Sequence, residues 1–253
     1  MYKNKIKKMI SEKQPVVGCI VNIPSTALVE VLGLAGYHFI FIDSEHSTLT
    51  FDQMEALIIA AELRDIVPIV RVPDNNPKTI LRVLDMGAMG IIVPDVSTQE
   101  EAEAAVRAAK YAPMGERGLA TTRSADYGYG KKGADLFEQA NAETMVIALI
   151  ESKEGVANAE DILSVEGIDG CFIGTSDLSM SMEFQGEISH PRVKAAVDKV
   201  LETGKDLGKT VGIVVRSGES PKELLGKGFS IVFTNWRSLV QKSSKQFIDE
   251  ALS

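Results

Sequence analysis

Acidic residues follow two of the most apolar runs in the sequence. The run "MVIALI" leads into Glu151, and "CFIGTS" leads into Asp177. Carboxylate oxygens are hard donors, and two of them, completed by waters and a chelating substrate, form a Mg²⁺ or Mn²⁺ site with open positions. Zn²⁺ favours nitrogen and sulfur ligands, and the chain has only three His. The two acids therefore predict a site for a hard divalent cation.

Further polar residues follow apolar runs in the same way. Arg71 ends "VPIVR", and Asp43 and His46 lie in "FIDSEH". A guanidinium can orient a substrate carboxylate or stabilise an enolate oxygen. An acid can fix the tautomer of a histidine and make it a better base. Together with a metal ion, these residue types predict the formation and protonation of an enolate.

Each of these residues also has a structural interpretation. Glu151 could cap the helix that begins in "ESKEG", and Asp177 could be the N-cap of a helix over "LSMSM". Arg71 could form a surface ion pair with Asp74 or Asp95, which is the commoner fate of a lone arginine. A single histidine is also more often structural than catalytic. Spacing alone leaves these alternatives open.

The elements that must position these residues are short apolar runs separated by helical patterns. The runs are almost continuously hydrophobic, which is typical of strands buried on both faces of a parallel sheet. Eight strands, each followed by a helix, predict an α/β fold, a (β/α)₈ TIM barrel, as a single domain over residues 1–253. A doubly wound open sheet is the alternative. The predicted strands are 15–22, 37–43, 67–72, 90–94, 145–151, 170–174, 210–215 and 229–234.

The segments between the strands carry helix signals. Thr50 and either Ser97 or Thr98 are suitable N-caps, and Gly36 is a suitable helix stop. The basic N-terminal segment predicts a short amphipathic helix. The one long irregular stretch, residues 112–140, predicts a functional or mobile loop.

Composition argues against several classes of function. The net charge is −8, the pI is about 5.1 and only 6% of residues are aromatic, so neither nucleic acid nor a membrane surface is an expected partner. No apolar run is long enough to span a membrane. Cys19 and Cys171 both lie in predicted strands, and we expect reduced, buried thiols in a cytoplasmic protein.

Three ordered segments closely resemble the HpcH/HpaI aldolase family. They are "FIDSEH", the stretch from "VRVPDNNP" to "APMGERG", and the stretch from "IESKEG" to "FIGTSDLSMSM", within about residues 16–195. The resemblance implies a class II, metal-dependent aldolase that reversibly cleaves a 4-hydroxy-2-oxo acid to pyruvate and an aldehyde. The family includes 4-hydroxy-2-oxo-heptanedioate and 2-dehydro-3-deoxyglucarate aldolases. It also implies a TIM barrel whose last helix exchanges with a neighbour, usually in a homohexamer.

The resemblance assigns roles to the residues at the strand ends. A divalent ion, Mg²⁺, Mn²⁺ or Co²⁺, is expected on Glu151 and Asp177 and chelates pyruvate through its oxo and carboxylate oxygens. Arg71 matches the arginine that contacts the pyruvate oxygen and stabilises the enolate. His46 and Asp43 match the dyad that handles the proton.

Three further positions follow from the resemblance. Ser176 matches a residue whose backbone N–H holds the pyruvate carboxylate, with Gly174 in the same substrate-binding segment. Asp85 matches an acid that reaches the active site of an adjacent subunit. Two residues depart from the family pattern, namely Leu149 in place of a glutamine and Glu183 in place of a glycine.

Other functions remain open at this stage. A CoA-thioester lyase of the citrate lyase β or malyl-CoA type would use a similar acid pair but needs basic groups for CoA. Schiff-base chemistry needs a lysine inside the barrel, and the predicted strands contain none. A non-catalytic barrel that only binds a metal and an oxo acid is the alternative outside the enzymes.

Overall fold

The centre of the molecule is a closed barrel of eight parallel strands. The structure, a computed structural model, describes residues 3–130, 133–216 and 218–253. Each strand pairs with the next along the chain, and the last pairs with the first. This arrangement confirms the predicted TIM barrel and rules out the open sheet. The strands are β1 Val16–Val21, β2 Phe39–Asp43, β3 Val67–Arg71, β4 Gly90–Val93, β5 Met145–Ile150, β6 Gly170–Ile173, β7 Thr210–Val214 and β8 Ile231–Asn235.

Helices connect the strands and surround the barrel. The predicted caps hold, because Thr50 and Thr98 each form a capping box at the start of a helix. The described helices are α1 Lys5–Ser11, α2 Thr26–Leu34, α3 Phe51–Leu63, α4 Pro77–Asp85, α5 Gln99–Ala109, α6 Ala134–Glu143, α7 Lys153–Ala157, α8 Ala159–Ser164, α9 Thr175–Ser181, α10 Pro191–Asp206, α11 Pro221–Lys227 and α12 Trp236–Leu252. None of them combines the length and apolar character needed to cross a membrane.

The stretch 112–140 is more ordered than predicted. It contains a 3₁₀ helix at Arg123–Gly128 and the start of α6, while residues 131 and 132 lie outside the described part of the chain. The N-cap of α6 is Gly133, which has a φ of 61°. No Ser, Thr or Asp stands at this position to signal the start of a helix. Because the usual cap residue is absent, the sequence pattern did not reveal this helix.

Large side chains fill the barrel interior, and glycines at the paired positions of neighbouring strands make room for them. The rings of Phe39, Phe172 and Phe233 pack with centroids 4.8–6.4 Å apart. A methyl group at Gly18 would collide with the Phe39 ring, and one at Gly212 would collide with the Phe172 ring. Glycine at these two positions therefore admits aromatic rings that a tightly closed barrel would otherwise exclude.

The amino-terminal helix closes one end of the barrel. Ile6 of α1 is fully buried and packs in the interior cluster that includes Val16, Met89 and Met145. Met89 and Met145 lie at the amino-terminal ends of β4 and β5, so α1 covers the end of the barrel opposite the strand exits. The other end is the open one.

A buried lysine fastens α5 to the end of α6. Lys110 is only 2% exposed, and its Nζ donates hydrogen bonds to the carbonyl oxygens of Asn141 at 2.7 Å and Thr144 at 2.6 Å. Burial lowers the pKa of Lys110 to about 8. These two carbonyls lie just before β5, so the lysine fixes where that strand begins.

Replacing this lysine should destabilise the fold. Lys110→Met keeps most of the volume but leaves two carbonyls without their donor, which should lower the free energy of unfolding by about 2–4 kcal/mol. Urea denaturation measures the change. Lys194→Met, at an exposed position on α10, is the matched control and should shift stability by no more than about 0.5 kcal/mol. Equal behaviour of the two variants would contradict the proposed role of Lys110.

Candidate active site

The polar residues predicted from the sequence gather at the open end of the barrel. Met145, Ile147 and Leu149 of β5 point inward, so the next residue in that alternation, Glu151, stands above them at the strand exit. Asp43 and Arg71 end β2 and β3 and are directly paired in the register. Below this polar layer lies the aromatic packing of the barrel interior. The site thus consists of charged side chains at the strand exits, directly above the apolar interior of the barrel.

Glu151 is a buried carboxylate with a single described hydrogen bond. It is 6% exposed, and its Oε1 accepts the backbone N–H of Asp95 at 3.0 Å. Asp95 adopts a left-handed conformation, with φ of 54°, as its N–H contacts the carboxylate. The side chain of Ser152, not of Glu151, caps α7. The interpretation of Glu151 as a helix cap is therefore wrong.

The surroundings of Glu151 disfavour its charge. Burial raises the pKa of Glu151 to about 7, and the charges of Asp95, Asp177 and Glu45 act in the same direction. An acid held partly protonated at neutral pH, among other acids, gains from a cation. A bound cation beside Glu151 would therefore lower this pKa again.

Asp177 is the second acid of the predicted pair and lies close enough to raise the pKa of Glu151. It sits inside the first turn of α9, whose N-cap is Gly174, so its interpretation as an N-cap is also wrong. It is exposed, and no described residue donates a hydrogen bond to its carboxylate. A methyl group at Gly174 would collide with the Glu151 side chain, so glycine there lets β5 and β6 bring the acids together.

Arg71, at the end of β3, is held by two acids at the exit of β2. Its Nε and Nη2 donate to the two carboxylate oxygens of Asp43 at 3.0 and 2.8 Å, and its Nη1 lies 2.9 Å from Glu45. Burial alone would lower the pKa of Arg71, but the hydrogen bonds and charge of Asp43 raise it. The sequence alternatives, pairing with Asp74 or Asp95, are wrong. A bidentate carboxylate fixes the plane of the guanidinium.

His46 lies beside this cluster but contacts a different acid from the one expected. Asp43 accepts the backbone N–H of His46 at 3.2 Å, whereas the imidazole Nε2 is 3.9 Å from Glu45. The imidazole is 64% exposed. Glu45, which sequence reasoning left without a role, thus lies near both Arg71 and His46, with its Oε2 at 2.9 Å from Nη1 of Arg71 and 3.9 Å from Nε2 of His46. Burial raises the pKa of Glu45, although Arg71 opposes the shift.

The segment after β6 is fixed by an arginine from β7. The Nη2 of Arg216 donates to the Ser176 hydroxyl at 2.7 Å and to the Thr175 hydroxyl at 2.9 Å. These contacts hold the first turn of α9, which carries Asp177 and follows Gly174. The sequence signal for Arg216 was its position directly after a strand. Its hydrogen-bond partners belong to the neighbouring strand–helix unit, so the sequence did not predict them.

Asp85 is not part of the site in this chain. It ends α4, which starts after β3 and runs back toward the closed end of the barrel. Its carboxylate accepts a hydrogen bond from Arg117 at 2.8 Å. The role of Asp85 in a neighbouring subunit remains a prediction.

The two departures from the family pattern lie at different depths. Leu149 is 4% exposed and packs in the barrel interior directly below Glu151, where it adds to the desolvation of that carboxylate. Glu183 is exposed, with φ of 67°, in the loop after α9. Leu149 therefore forms part of the apolar surface below the site, whereas Glu183 adds a charge to the exposed loop after α9.

The donor set fits a divalent cation held by two acids. The Oε2 of Glu151 and both oxygens of Asp177 accept no hydrogen bond from described residues, and the two carboxylates repel each other. The described residues contain no group of three or more His, Cys, Asp or Glu that could hold a metal ion. Two hard oxygen donors leave open positions for a substrate, which suits Mg²⁺, Mn²⁺ or Co²⁺.

Comparison with known proteins identifies the family. The sequence profile described as HpcH/HpaI aldolase/citrate lyase matches residues 17–235. The chain belongs to this family. The match extends to the end of β8, beyond the segments that carried the sequence resemblance. Family membership confirms the predicted carbon–carbon lyase of the class II aldolase type, and such aldolases generally depend on a divalent metal.

Individual relatives cover almost the whole chain. A protein of Shigella dysenteriae serotype 1 (strain Sd197) named 5-keto-4-deoxy-D-glucarate aldolase is 34% identical over 252 residues, 98% of each chain. The structure of an HpcH/HpaI aldolase/citrate lyase family protein from Burkholderia cenocepacia J2315 is 30% identical, with a TM-score of 0.93 over 99% of this chain and all of that one. The citrate synthase SbnG is 32% identical, with a TM-score of 0.87 over 97% and 96%.

The buried carboxylate should make the metal-free protein less stable as pH rises. A folded-state pKa of about 7, above the ordinary 4.5, means that the folded state binds a proton more tightly than the unfolded state. Stability from this group is full below pH 4.5 and is lost as pH rises through 7, by up to about 3 kcal/mol.

Glu151→Gln should remove this pH dependence. Denaturant unfolding of chelator-treated protein between pH 5 and 8 measures this dependence. The free energy of unfolding of the variant should rise relative to that of the wild type as pH rises. Glu160→Gln, on the exposed face of α8, should follow the wild type. Parallel curves for wild type and Glu151→Gln would show that Glu151 is not desolvated as described.

Proposed function

We propose that this protein is a divalent-metal-dependent aldolase that reversibly cleaves a 4-hydroxy-2-oxo acid to pyruvate and an aldehyde. The observation that carries the proposal is that two carboxylates, Glu151 and Asp177, follow adjacent strands and lie close enough to interact with each other, with Arg71 near Glu151. The name of the Shigella relative, an aldolase for a keto-deoxy sugar acid, supports the same reaction class.

The residues at the strand exits divide the work of binding and charge stabilisation. Glu151 and Asp177 would hold the cation, which supplies Lewis-acid polarisation of the oxo group when bound. Arg71 keeps its guanidinium plane through Asp43 and offers the N–H groups that neither Asp43 nor Glu45 occupies to the oxygen that becomes negative in the enolate. The backbone N–H of Ser176, two residues after Gly174, orients the carboxylate of pyruvate.

His46 is the residue we assign to proton transfer. Its imidazole is exposed, and Glu45 is the acid nearest to it, at 3.9 Å. Asp43 positions His46 through the backbone rather than through the imidazole, because its carboxylate accepts the backbone N–H groups of both Glu45 and His46. The turn that carries the imidazole is therefore tied to the same carboxylate that fixes Arg71.

Metal dependence is the direct test of this proposal. With oxaloacetate as substrate, EDTA should abolish decarboxylation by the wild type, and Mn²⁺, Co²⁺ or Mg²⁺ should restore it. Gly174→Ala should weaken the affinity for Mn²⁺, measured by titration calorimetry, because a methyl group there displaces the Glu151 side chain. Gly226→Ala, where the methyl group meets open space, is the matched control. Full activity in EDTA would refute the metal assignment.

We also propose that the last helix exchanges between two copies of the chain in a homo-oligomer, a hexamer by family resemblance. No residue of α12 is buried, and Phe247, Ile248 and Leu252 are 71%, 52% and 82% exposed. Between α12, residues of β1 and β8, and the segment after β7 that includes Val215 and Arg216 lies a groove of about 980 Å³. An amphipathic helix beside an open apolar groove suits a second copy of itself. Oligomerisation would also bring Asp85 of one copy toward its neighbour.

Charge on the apolar face of α12 should dissociate the oligomer. Phe247→Asp should reduce the mass measured by light scattering from a multiple of 27.4 kDa to that of the single chain. Ser238→Asp adds the same charge on the side of the helix opposite Phe247, at an exposed position, and should leave the mass unchanged. A monomeric wild type, or an unchanged mass for Phe247→Asp, would contradict helix exchange.

A condensation with acetyl-CoA is a second candidate. The similarity to the citrate synthase SbnG, at 32% identity, is the observation that favours it. Thermal protection by pyruvate or oxaloacetate in the presence of Mn²⁺, without further protection by acetyl-CoA, would favour the aldolase. Strong protection by acetyl-CoA would favour the condensation.

A further inference from the structure

The two oxygens of the Glu151 carboxylate have different surroundings. Oε1 accepts the backbone N–H of Asp95, in the segment after β4, at 3.0 Å. Oε2 accepts no hydrogen bond from a described residue, and it is the Glu151 atom nearest to where a methyl group at Gly174 would stand. Because Gly174 directly follows β6, Oε2 faces the side of the site from which Asp177 comes. The contact with Asp95 therefore leaves Oε2 as the oxygen directed toward the second acid.

Two further contacts anchor the chain just after Asp95. The hydroxyl oxygens of Ser97 and Ser152 are 2.6 Å apart, and the carbonyl oxygen of Ser97 accepts a hydrogen bond from the Asn158 side chain at 2.8 Å. Ser152 directly follows Glu151 and caps α7. The segment after β4 is thus fastened to the segment after β5 on both sides of the bond between Asp95 and Glu151.

Asp95 adopts a left-handed backbone conformation between these anchors. Its φ is 54°, in a region that residues with a Cβ rarely occupy and that Gly, Asn and Asp tolerate best. The chain is fixed on one side at Val93, the last residue of β4, and on the other side at Ser97. A right-handed or extended residue would direct the chain away from Ser97 or draw the N–H away from Glu151. The contact with Glu151 therefore depends on this conformation.

The side chain of Asp95 does not account for the conformation. Asp95 is exposed, and its carboxylate accepts no hydrogen bond from a described residue. A left-handed residue other than glycine costs free energy that the surrounding contacts must offset. The contact made possible here is the single described hydrogen bond to the buried carboxylate of Glu151. This strain indicates that the main chain of Asp95 serves to orient that carboxylate.

We propose that Asp95 is a positioning residue for the cation site: its left-handed main chain holds Oε1 of Glu151 and thereby presents Oε2 to the ion. This inference rests on the proposed metal-dependent function and names the residue that orients one of the two ligands. A carboxylate that can rotate loses affinity for a metal ion, and loss of a hydrogen bond to a ligand typically weakens metal binding roughly 10- to 100-fold.

Three substitutions at Asp95 separate its main chain from its side chain. Gly and Asn tolerate the left-handed conformation and Ala does not, whereas Asp95→Gly and Asp95→Ala both lack the carboxylate. Titration calorimetry with Mn²⁺ on chelator-treated protein gives the affinity of each variant. Asp95→Ala should bind Mn²⁺ about 5- to 30-fold more weakly than Asp95→Gly, which is the left-handed penalty of alanine expressed as a ratio of affinities. The affinity of Asp95→Asn should lie nearer to that of Asp95→Gly.

Asp65 provides a matched control. It is also an exposed aspartate in the left-handed region, with φ of 59°, but it lies just before β3 at the opposite end of the barrel. Asp65→Ala should be less stable than Asp65→Gly in urea denaturation, because the same backbone penalty applies. The two Asp65 variants should nevertheless bind Mn²⁺ equally. This pair shows whether a general loss of stability changes the affinity for the metal.

Two results would overturn the inference. Equal Mn²⁺ affinities for Asp95→Ala and Asp95→Gly would show that the left-handed conformation does not position the ligand. Equal weakening in all three Asp95 variants, relative to wild type, would show that Asp95 acts through its carboxylate instead.

The decarboxylation of oxaloacetate separates this inference from the proposed reaction. A wild type that binds Mn²⁺ but shows no Mn²⁺-dependent decarboxylation would refute the aldolase, while the affinities of the Asp95 variants would still decide the positioning role. A wild type that binds no Mn²⁺ would refute both.

Discussion

The site depends on one buried carboxylate. Glu151 lies on an apolar floor with a single backbone hydrogen bond, among three other acids. Ionisation in such a place is costly unless a cation is near, because the charge has exchanged water for hydrocarbon. The same desolvation strengthens every electrostatic contact that a metal ion and an oxo acid would make there. The roles we assign to the residues around Glu151 follow from this excess of negative charge.

The packing of the barrel sets how deep that carboxylate lies. Gly18 and Gly212 admit phenylalanine rings that fill the interior, and Leu149 completes the floor under Glu151. Because the lumen is filled, a ligand can bind only at the rim. Two arginines at the strand exits differ by their partners: the carboxylates of Asp43 and Glu45 hold Arg71, whereas the hydroxyls of Thr175 and Ser176 hold Arg216.

Local patterns were sufficient for most of the fold. Continuous apolar runs identified the strands to within about two residues at their ends, because a strand buried on both faces has little tolerance for polar side chains. Helix α6 and the 3₁₀ helix were missed within 112–140. There the cap is Gly133, and much of the order comes from contacts distant in sequence, such as that between Lys110 and Thr144.

The sequence by itself determined which side chains stand at the strand exits, since alternation and strand length fix the side and end to which a residue points. Tertiary structure decided their partners. The Asp43 carboxylate accepts the backbone N–H of His46 and also binds Arg71. Glu45 is instead the acid nearest to the imidazole. Arg216 reaches across to the turn after β6. Such pairings depend on the closure of the barrel and on side-chain reach, and spacing along the chain specifies neither.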